Sequence, residues 1–185
     1  MIKDILKDAE GRMRAAIQVL NDDLGAIRTG RASPALVERL PIEYYGSPTP
    51  LMQLATISVP EPRSLMIKPF DPSTLKEIER AIQASDLGLT PNSDGKSIHL
   101  NLPALTEERR RELVKLVHHR LEEARVAVRN VRRDSHNDMR DFEKEKLISE
   151  DDLKRGEDDL QKLTDRFIED INGHGQAKEK EIMEV

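Results

Sequence analysis

Between Arg109 and Arg133 the chain sets eight arginines and one lysine against three glutamates. On a helix turning about 100° per residue, Arg111, Lys115, His118, Arg125, Arg129, Arg132, Arg133 and His136 fall within an arc of about 100°. They flank an apolar seam, and only Glu122 interrupts them. A guanidinium stays charged at any physiological pH and grips phosphate through paired N–H donors. Five of the six permanent cations in the row are arginine, which suits the backbone of a structured nucleic acid. The competing reading is a solvated face paired with the segment from Ser149 to Val185, where twelve acids meet six bases. No Phe, Tyr or Trp lies within the row to stack the bases of an open strand; Tyr44 and Tyr45 are remote. Folded RNA recognised by phosphate and shape therefore fits best. No short recognition helix or dimer seam points to DNA.

Other chemistry fails on spacing. Gly95-Lys96-Ser97 imitates the end of a phosphate-binding loop, but that motif needs a glycine at position 90, which is Thr90. His118 and His119 are neighbours pointing about 100° apart and cannot share a metal. Asp151, Asp152, Asp158 and Asp159 lack calcium-loop spacing and suit a helix N-terminus instead. Ser33 has neither the second glycine of a nucleophile elbow nor a histidine at hand. The chain has no cysteine, which excludes disulfides, thiolate catalysis and cysteine-ligated metals. The expectation is a protein with no catalytic residue, no metal site and no cofactor.

The elements that must hold the row follow from composition. Of 185 residues, 35% are charged and 3% aromatic, as in long solvent-facing helices with aliphatic seams. No apolar run reaches the roughly 20 residues of a membrane span, and the apolar seam begins at Ile2 with no leader before it, the pattern of a cytoplasmic protein. All ten prolines lie between Pro34 and Pro103, so a helix-poor insert interrupts a helical body. We expect an α+β protein: a discontinuous three-helix bundle of residues 1–30 and 105–185, and an inserted β/α/β domain of residues 31–104. The first helix carries Ile2, Leu6, Ala9, Met13, Ala16, Leu20, Leu24 and Ile27 at steps of three and four and is predicted to reach Gly30. The second, predicted over 106–147, buries Leu113, Val117, Leu121, Ala124, Val128, Val131, Ser135, Met139 and Phe142. The third starts at Ser149 with an acidic first turn and follows Leu153, Leu160, Leu163, Phe167 and Ile171. In the insert, 42–45, 54–59, 65–70 and 98–102 read as strands, with one helix from Asp71 to Gly88. Gly30 and Pro103-Ala104 are the two chain crossings, placed to form a hinge.

The chain resembles bacterial ribosome recycling factors from end to end. The matching blocks run from Ile27 to Pro34, Glu43 to Leu51, Ala84 to Ser93, Leu105 to Arg110 and Ala124 to Asp134. The resemblance implies a long three-helix bundle joined by a flexible hinge to a β/α/β domain, together similar in outline to a transfer RNA. It implies a non-enzymatic factor, a monomer, that binds the post-termination ribosome. With elongation factor G and the GTP that this partner hydrolyses, such a factor splits the ribosome so that messenger and transfer RNA leave. It places contacts to large-subunit ribosomal RNA on Arg28, Arg110, Arg129 and Arg132, which agrees with the row; Arg125 and Arg133 are added from the row itself. The hinge it implies is Arg31, Ala104 and Leu105, beside Gly30, with the β domain as the surface pushed by elongation factor G. Ala104 departs from the family's paired prolines and leaves the backbone there freer. A helical scaffold or chaperone binding protein partners through its seam is the alternative.

Overall fold

The computed structural model describes residues 1–184. They form two compact units, Met1–Arg28 with Glu107–Glu184, and Thr29–Thr106. The first is a three-helix bundle of α1 (Ile2–Ala26), α3 (Glu107–Lys144) and α4 (Glu150–Glu184), each packed on the other two. Most of the expected seam is buried: Ala9, Met13, Leu20 and Leu24 from α1 meet Leu113, Val117, Leu121, Ala124, Val128, Val131 and Met139 from α3, and Leu160, Phe167 and Ile171 from α4. Ile2, Leu6, Ala16, Phe142, Leu153 and Leu163 at its margins are half-buried. Helix α3, 38 residues and so about 57 Å long, draws most of its stability from this cover. Exposed pairs decorate the crossings, Arg12 to Asp134 at 2.9 Å and Arg166 to Glu10 at 2.9 Å. At such exposure they contribute little beyond the apolar burial. Arg166 and Arg14 both bond Glu10 and hold its carboxyl below the usual range.

Helix ends differ from the periodicity in instructive ways. Helix α1 stops at Ala26, four residues before Gly30, because Ile27 turns extended and buries its side chain. Helix α3 stops at Lys144 rather than 147: the amides of Lys146 and Leu147 bond back to the carbonyls of Glu143 and Phe142, with Lys146 left-handed at φ +59°. That is a Schellman closure with lysine where glycine is usual. Helix α4 starts as expected: Ser149 Oγ accepts the Asp152 amide at 3.1 Å, and Asp152 Oδ2 accepts the Ser149 amide at 3.3 Å. The Ser149 hydroxyl and then the Ser149 amide, both beside it, hold the Asp152 carboxyl low.

The second unit contains a hairpin of β1 (Pro41–Tyr44) and β2 (Ser47–Pro50), and an antiparallel sheet of order β3-β4-β6-β5. Its strands are β3 (Ala55–Glu61), β4 (Ser64–Pro69), β5 (Pro91–Ser93) and β6 (Ile98–Asn101). Helix α2 (Leu75–Ala84) connects β4 to β5. In the register Leu65 faces Leu100 and Ile67 faces Ile98, all fully buried with Ile78 and Ile82 of α2. Asp71 caps a short 3₁₀ turn leading into α2, accepting the Ser73 amide at 2.9 Å. Helix α2 ends at Ala84, short of Gly88, where Ser85 Oγ donates to the Ile82 carbonyl. Strands β2 and β5 escape the sequence pattern because they carry Pro48, Pro50 and Pro91, tolerated where a strand is short and at an edge.

Two glycines of α4 that the periodicity does not mark as core are buried, and they set how closely the helices approach. A Cβ on Gly175 would lie 2.3 Å from Leu121 Cδ1, and one on Gly156 would lie 3.1 Å from Met139 Sδ. Gly173, two residues away, faces open space. Gly175→Ala is therefore expected to lower stability by about 1–3 kcal/mol through overpacking, whereas Gly173→Ala should raise it by about 0.5–1 kcal/mol through helix propensity. Thermal unfolding of the pair checks the opposite signs.

Candidate nucleic-acid interface

Helices α3 and α4 run antiparallel, so row residues seven, seven and four apart on α3 meet α4 residues in descending order. His118 pairs with Glu179, Arg125 with Asn172, Arg132 with Gln161, and His136 with Glu157. Arg125 sends Nε and Nη2 to Asn172 Oδ1 at 3.2 and 2.7 Å, and its side chain is only 26% exposed. Arg132 Nη1 donates to Gln161 Oε1 at 3.1 Å, and Gln161 Nε2 continues to Asp165 at 2.8 Å. These cross-helix partners are invisible to single-helix periodicity. A signal existed, though: Gln161 and Asn172 interrupt an otherwise acidic helix at positions facing the row.

The identity of each partner decides what the row can do. The carboxylates Glu179 and Glu157 go to imidazoles, while the guanidiniums of Arg125 and Arg132 receive neutral amides across the seam. An amide fixes a guanidinium's geometry without cancelling its charge. Glu122 is the one carboxylate within this stretch of the row, shared by Arg125 and Arg129 at 3.3 Å each. Among the described residues neither Arg132 nor Arg133 has a carboxylate in ion-pairing reach, and both are exposed. Toward the N-terminus of α3 the balance reverses: Arg109 pairs with Glu112 at 2.9 Å, Arg111 with Glu107 at 2.5 Å and Arg120 with Glu123 at 3.1 Å. Net positive charge thus concentrates over residues 125–133, and Arg111, one of the expected row, is compensated.

The remaining predicted residues are placed as follows. Arg110 Nη1 donates to the Met183 carbonyl at 2.5 Å, supplying positive charge at the end of α4, whose last turn has no basic residue of its own. Arg28 is exposed just past α1. Gly30 has φ +77°, and a Cβ there would sit 3.4 Å from the Pro103 carbonyl oxygen, so the two chain crossings lie side by side. Arg31 is exposed outside any helix or strand, and Ala104 and Leu105 lie between β6 and α3. Ser33 is a cap, its Oγ accepting the Ala35 amide at 3.3 Å. Gly95-Lys96-Ser97 is the β5–β6 turn, and its amides are taken by the chain's own side chains: Asp94 Oδ1 accepts Lys96 and Ser97 N–H at 2.9 and 2.7 Å, and Ser93 Oγ accepts Gly95 N–H at 3.2 Å. No group of three or more metal-ligating side chains converges among the described residues. No helix among them is long and apolar enough to cross a membrane.

Known proteins with this arrangement are consistent among themselves. The family model described as Ribosome recycling factor matches residues 20–183. The chain belongs to the ribosome recycling factor family. It is 57% identical to the ribosome-recycling factor of Halalkalibacterium halodurans and 58% identical to that of Syntrophomonas wolfei, in both cases over the whole of both chains. A solution structure of the ribosome recycling factor superposes with TM-score 0.72 at 49% identity, covering 100% of this chain and 98% of that one. A second similar structure, with TM-score 0.63, 43% identity and 98% coverage of each chain, presents the T. thermophilus ribosome recycling factor and E. coli elongation factor G bound to the E. coli post-termination complex. Ribosome recycling factors are non-enzymatic translation factors, in keeping with a phosphate-loop look-alike whose amides Asp94 already occupies.

Asp94 supplies a pH test of that assignment. The Lys96 and Ser97 amides, then His99 Nε2 at 3.2 Å, depress its carboxyl from 3.8 to about 2. A folded value below the unfolded one means its stabilisation is complete above pH 3.8 and disappears as pH falls through about 2. Carboxyl-carbon NMR should place the Asp94 midpoint near 2, and Asp94→Asn should remove acid dependence of the turn between those limits. A midpoint at the ordinary aspartate value would mean that the turn amides are free.

Proposed function

We propose that this protein recycles ribosomes after translation termination in the cytoplasm, acting as a monomer. Its bundle binds large-subunit ribosomal RNA, and elongation factor G, which hydrolyses the GTP, acts with it to split the ribosome and release messenger and transfer RNA. The observation that carries the reading is the pair of uncompensated guanidiniums at Arg132 and Arg133, held on a rigid helix whose cross-helix partner for Arg132 is a neutral amide. Preorganised cations with remaining donors suit phosphate contact, because the ordering cost is met in the free protein. Arg129 and Arg125 add charge alongside, half offset by Glu122. Arg28 and Arg110 give the distant second anchor, Arg110 while also closing the end of α4. Arg110 and Arg132 stand about 33 Å apart along α3, enough separation for two contacts to define an orientation.

The proposed hinge is Gly30, Arg31, Ala104 and Leu105. Two backbone hydrogen bonds support this placement. The Ala32 amide donates to the Pro62 carbonyl at 2.7 Å and the Leu102 amide to the Arg63 carbonyl at 2.8 Å. Both end on the turn between β3 and β4, so residues 32 and 102 move with the β unit. Rotation is then confined to the few residues between those bonds and the bundle helices. No bond is made or broken by this chain; it transmits force supplied by its partner.

Arg132→Ala should weaken binding to purified large subunits and reduce the slope of log affinity against log salt by about one. Arg14→Ala, which removes a cation already paired with Glu10 at 2.8 Å, should leave the slope nearly unchanged. A helical scaffold would show no association with subunits at moderate salt. Splitting of post-termination complexes, measured with and without elongation factor G and GTP, tests the activity itself.

A further inference from the structure

A groove of about 310 Å³ opens between α3 and α4 beside Arg132, lined by Arg132, His136, Glu157, Asp158, Leu160 and Gln161. Leu160, the one apolar residue of this lining, is covered, at 1% exposed, and the groove walls are polar and charged side chains. Glu157 is committed to His136 at 2.8 Å, and Gln161 to Arg132 and Asp165. Two groups keep free valences: the guanidinium of Arg132, which spends one N–H on Gln161, and the carboxylate of Asp158, exposed and without an ion pair or hydrogen bond among the described residues. Phosphate contact explains the first and is opposed by the second, since a free carboxylate repels the same phosphate.

A single nucleotide satisfies both. Its phosphate takes the open donors of Arg132, and its base lies against the flat side chains of Arg132 and His136, the types on which unstacked RNA bases rest. The base edge must then donate to Asp158, because an ionised carboxylate only accepts. Guanine alone among the four bases has two adjacent N–H donors on its Watson–Crick edge, matching the two carboxylate oxygens. We infer that this groove is a subsite for one unpaired guanine nucleotide of the bound RNA, with Asp158 as its specificity-determining residue. The inference rests on the reading that the arginine row binds ribosomal RNA.

The sign of one substitution tests it. Removing an acid from a cationic face should tighten RNA binding if charge alone matters. Loss of a base contact should weaken it, by about tenfold for one good paired contact, and leave the salt slope unchanged because no phosphate contact is lost. The experiment uses the full chain with Asp158→Ala and Asp158→Asn, titrated against purified large subunits at several salt concentrations. A dicarbonyl reagent that modifies the Watson–Crick edge of unpaired guanines is applied to the same complexes. The expected result is weaker binding by both variants at constant slope, and one guanine that wild type protects and Asp158→Ala leaves reactive. Equal or tighter binding by Asp158→Ala, or no guanine protected by wild type, overturns the subsite. Arg132→Ala run in parallel separates the two readings: if it loses affinity and slope while Asp158→Ala does not, only the guanine subsite fails, and if it loses neither, the RNA-binding reading itself fails. Asp158 is exposed on α4, so helical content by circular dichroism should match wild type in both variants.

Discussion

The close antiparallel packing of α3 on α4 is the constraint from which the rest follows. Most of the stability of α3 comes from tertiary packing, through an apolar seam running along its length. Where the seam passes Leu121 and Met139, α4 presents Gly175 and Gly156, and the absence of a Cβ lets the neighbouring side chains sit directly against the helix. Thr164, also buried in this layer, returns its hydroxyl to the Leu160 carbonyl at 2.8 Å, so the seam holds no orphaned polar atom there. Once the axis and register of the two helices are set by these contacts, the cations flanking the seam have no freedom to choose other partners.

That register turns an arginine-rich composition into a directed charge. Had acids stood where Asn172 and Gln161 stand, the row would be a set of internal salt bridges with little field outside. With amides there, Arg125 and Arg132 are oriented yet remain cationic, and the acids at Glu157 and Glu179 engage histidines instead. Further toward the N-terminus of α3, arginines pair locally with glutamates three or four residues away, which screens that end. The same helix is therefore nearly neutral over one stretch and strongly positive over another, an asymmetry that a net charge of −5 for the whole chain conceals.

The β unit obeys different rules. Its core is aliphatic and small, built by cross-strand pairs closed over by α2. Prolines at its edges and turns terminate pairing, a device that keeps short sheets from recruiting foreign strands. Its most phosphate-like loop is occupied by Asp94, which satisfies the backbone donors that a nucleotide would otherwise need. The turn therefore holds the Lys96 and Ser97 amides for its own carboxylate rather than for a bound anion.

Much was legible in the sequence because the relevant signals are local. The seams of α1, α3 and α4 follow from periodicity, the start of α4 from Ser149 and Asp152, and the arc of cations from helical geometry. Tertiary structure decided what local signals do not encode. The end of α1 at Ala26 rather than Gly30 depends on Ile27 finding a buried place. The strand character of β2 and β5 depends on partners that override their prolines. Gly156 and Gly175 look like helix weaknesses until the opposing side chains are known. The neutralised arginines of α3 find glutamates three or four residues along the same helix. That Arg132 and Arg125 meet amides across the seam depends instead on residues 29 and 47 positions away, brought opposite only when two antiparallel helices lock into one register. Local sequence specifies what a segment prefers to be, whereas compensation of a charge is a property of whatever the folded chain places within a few ångströms of it.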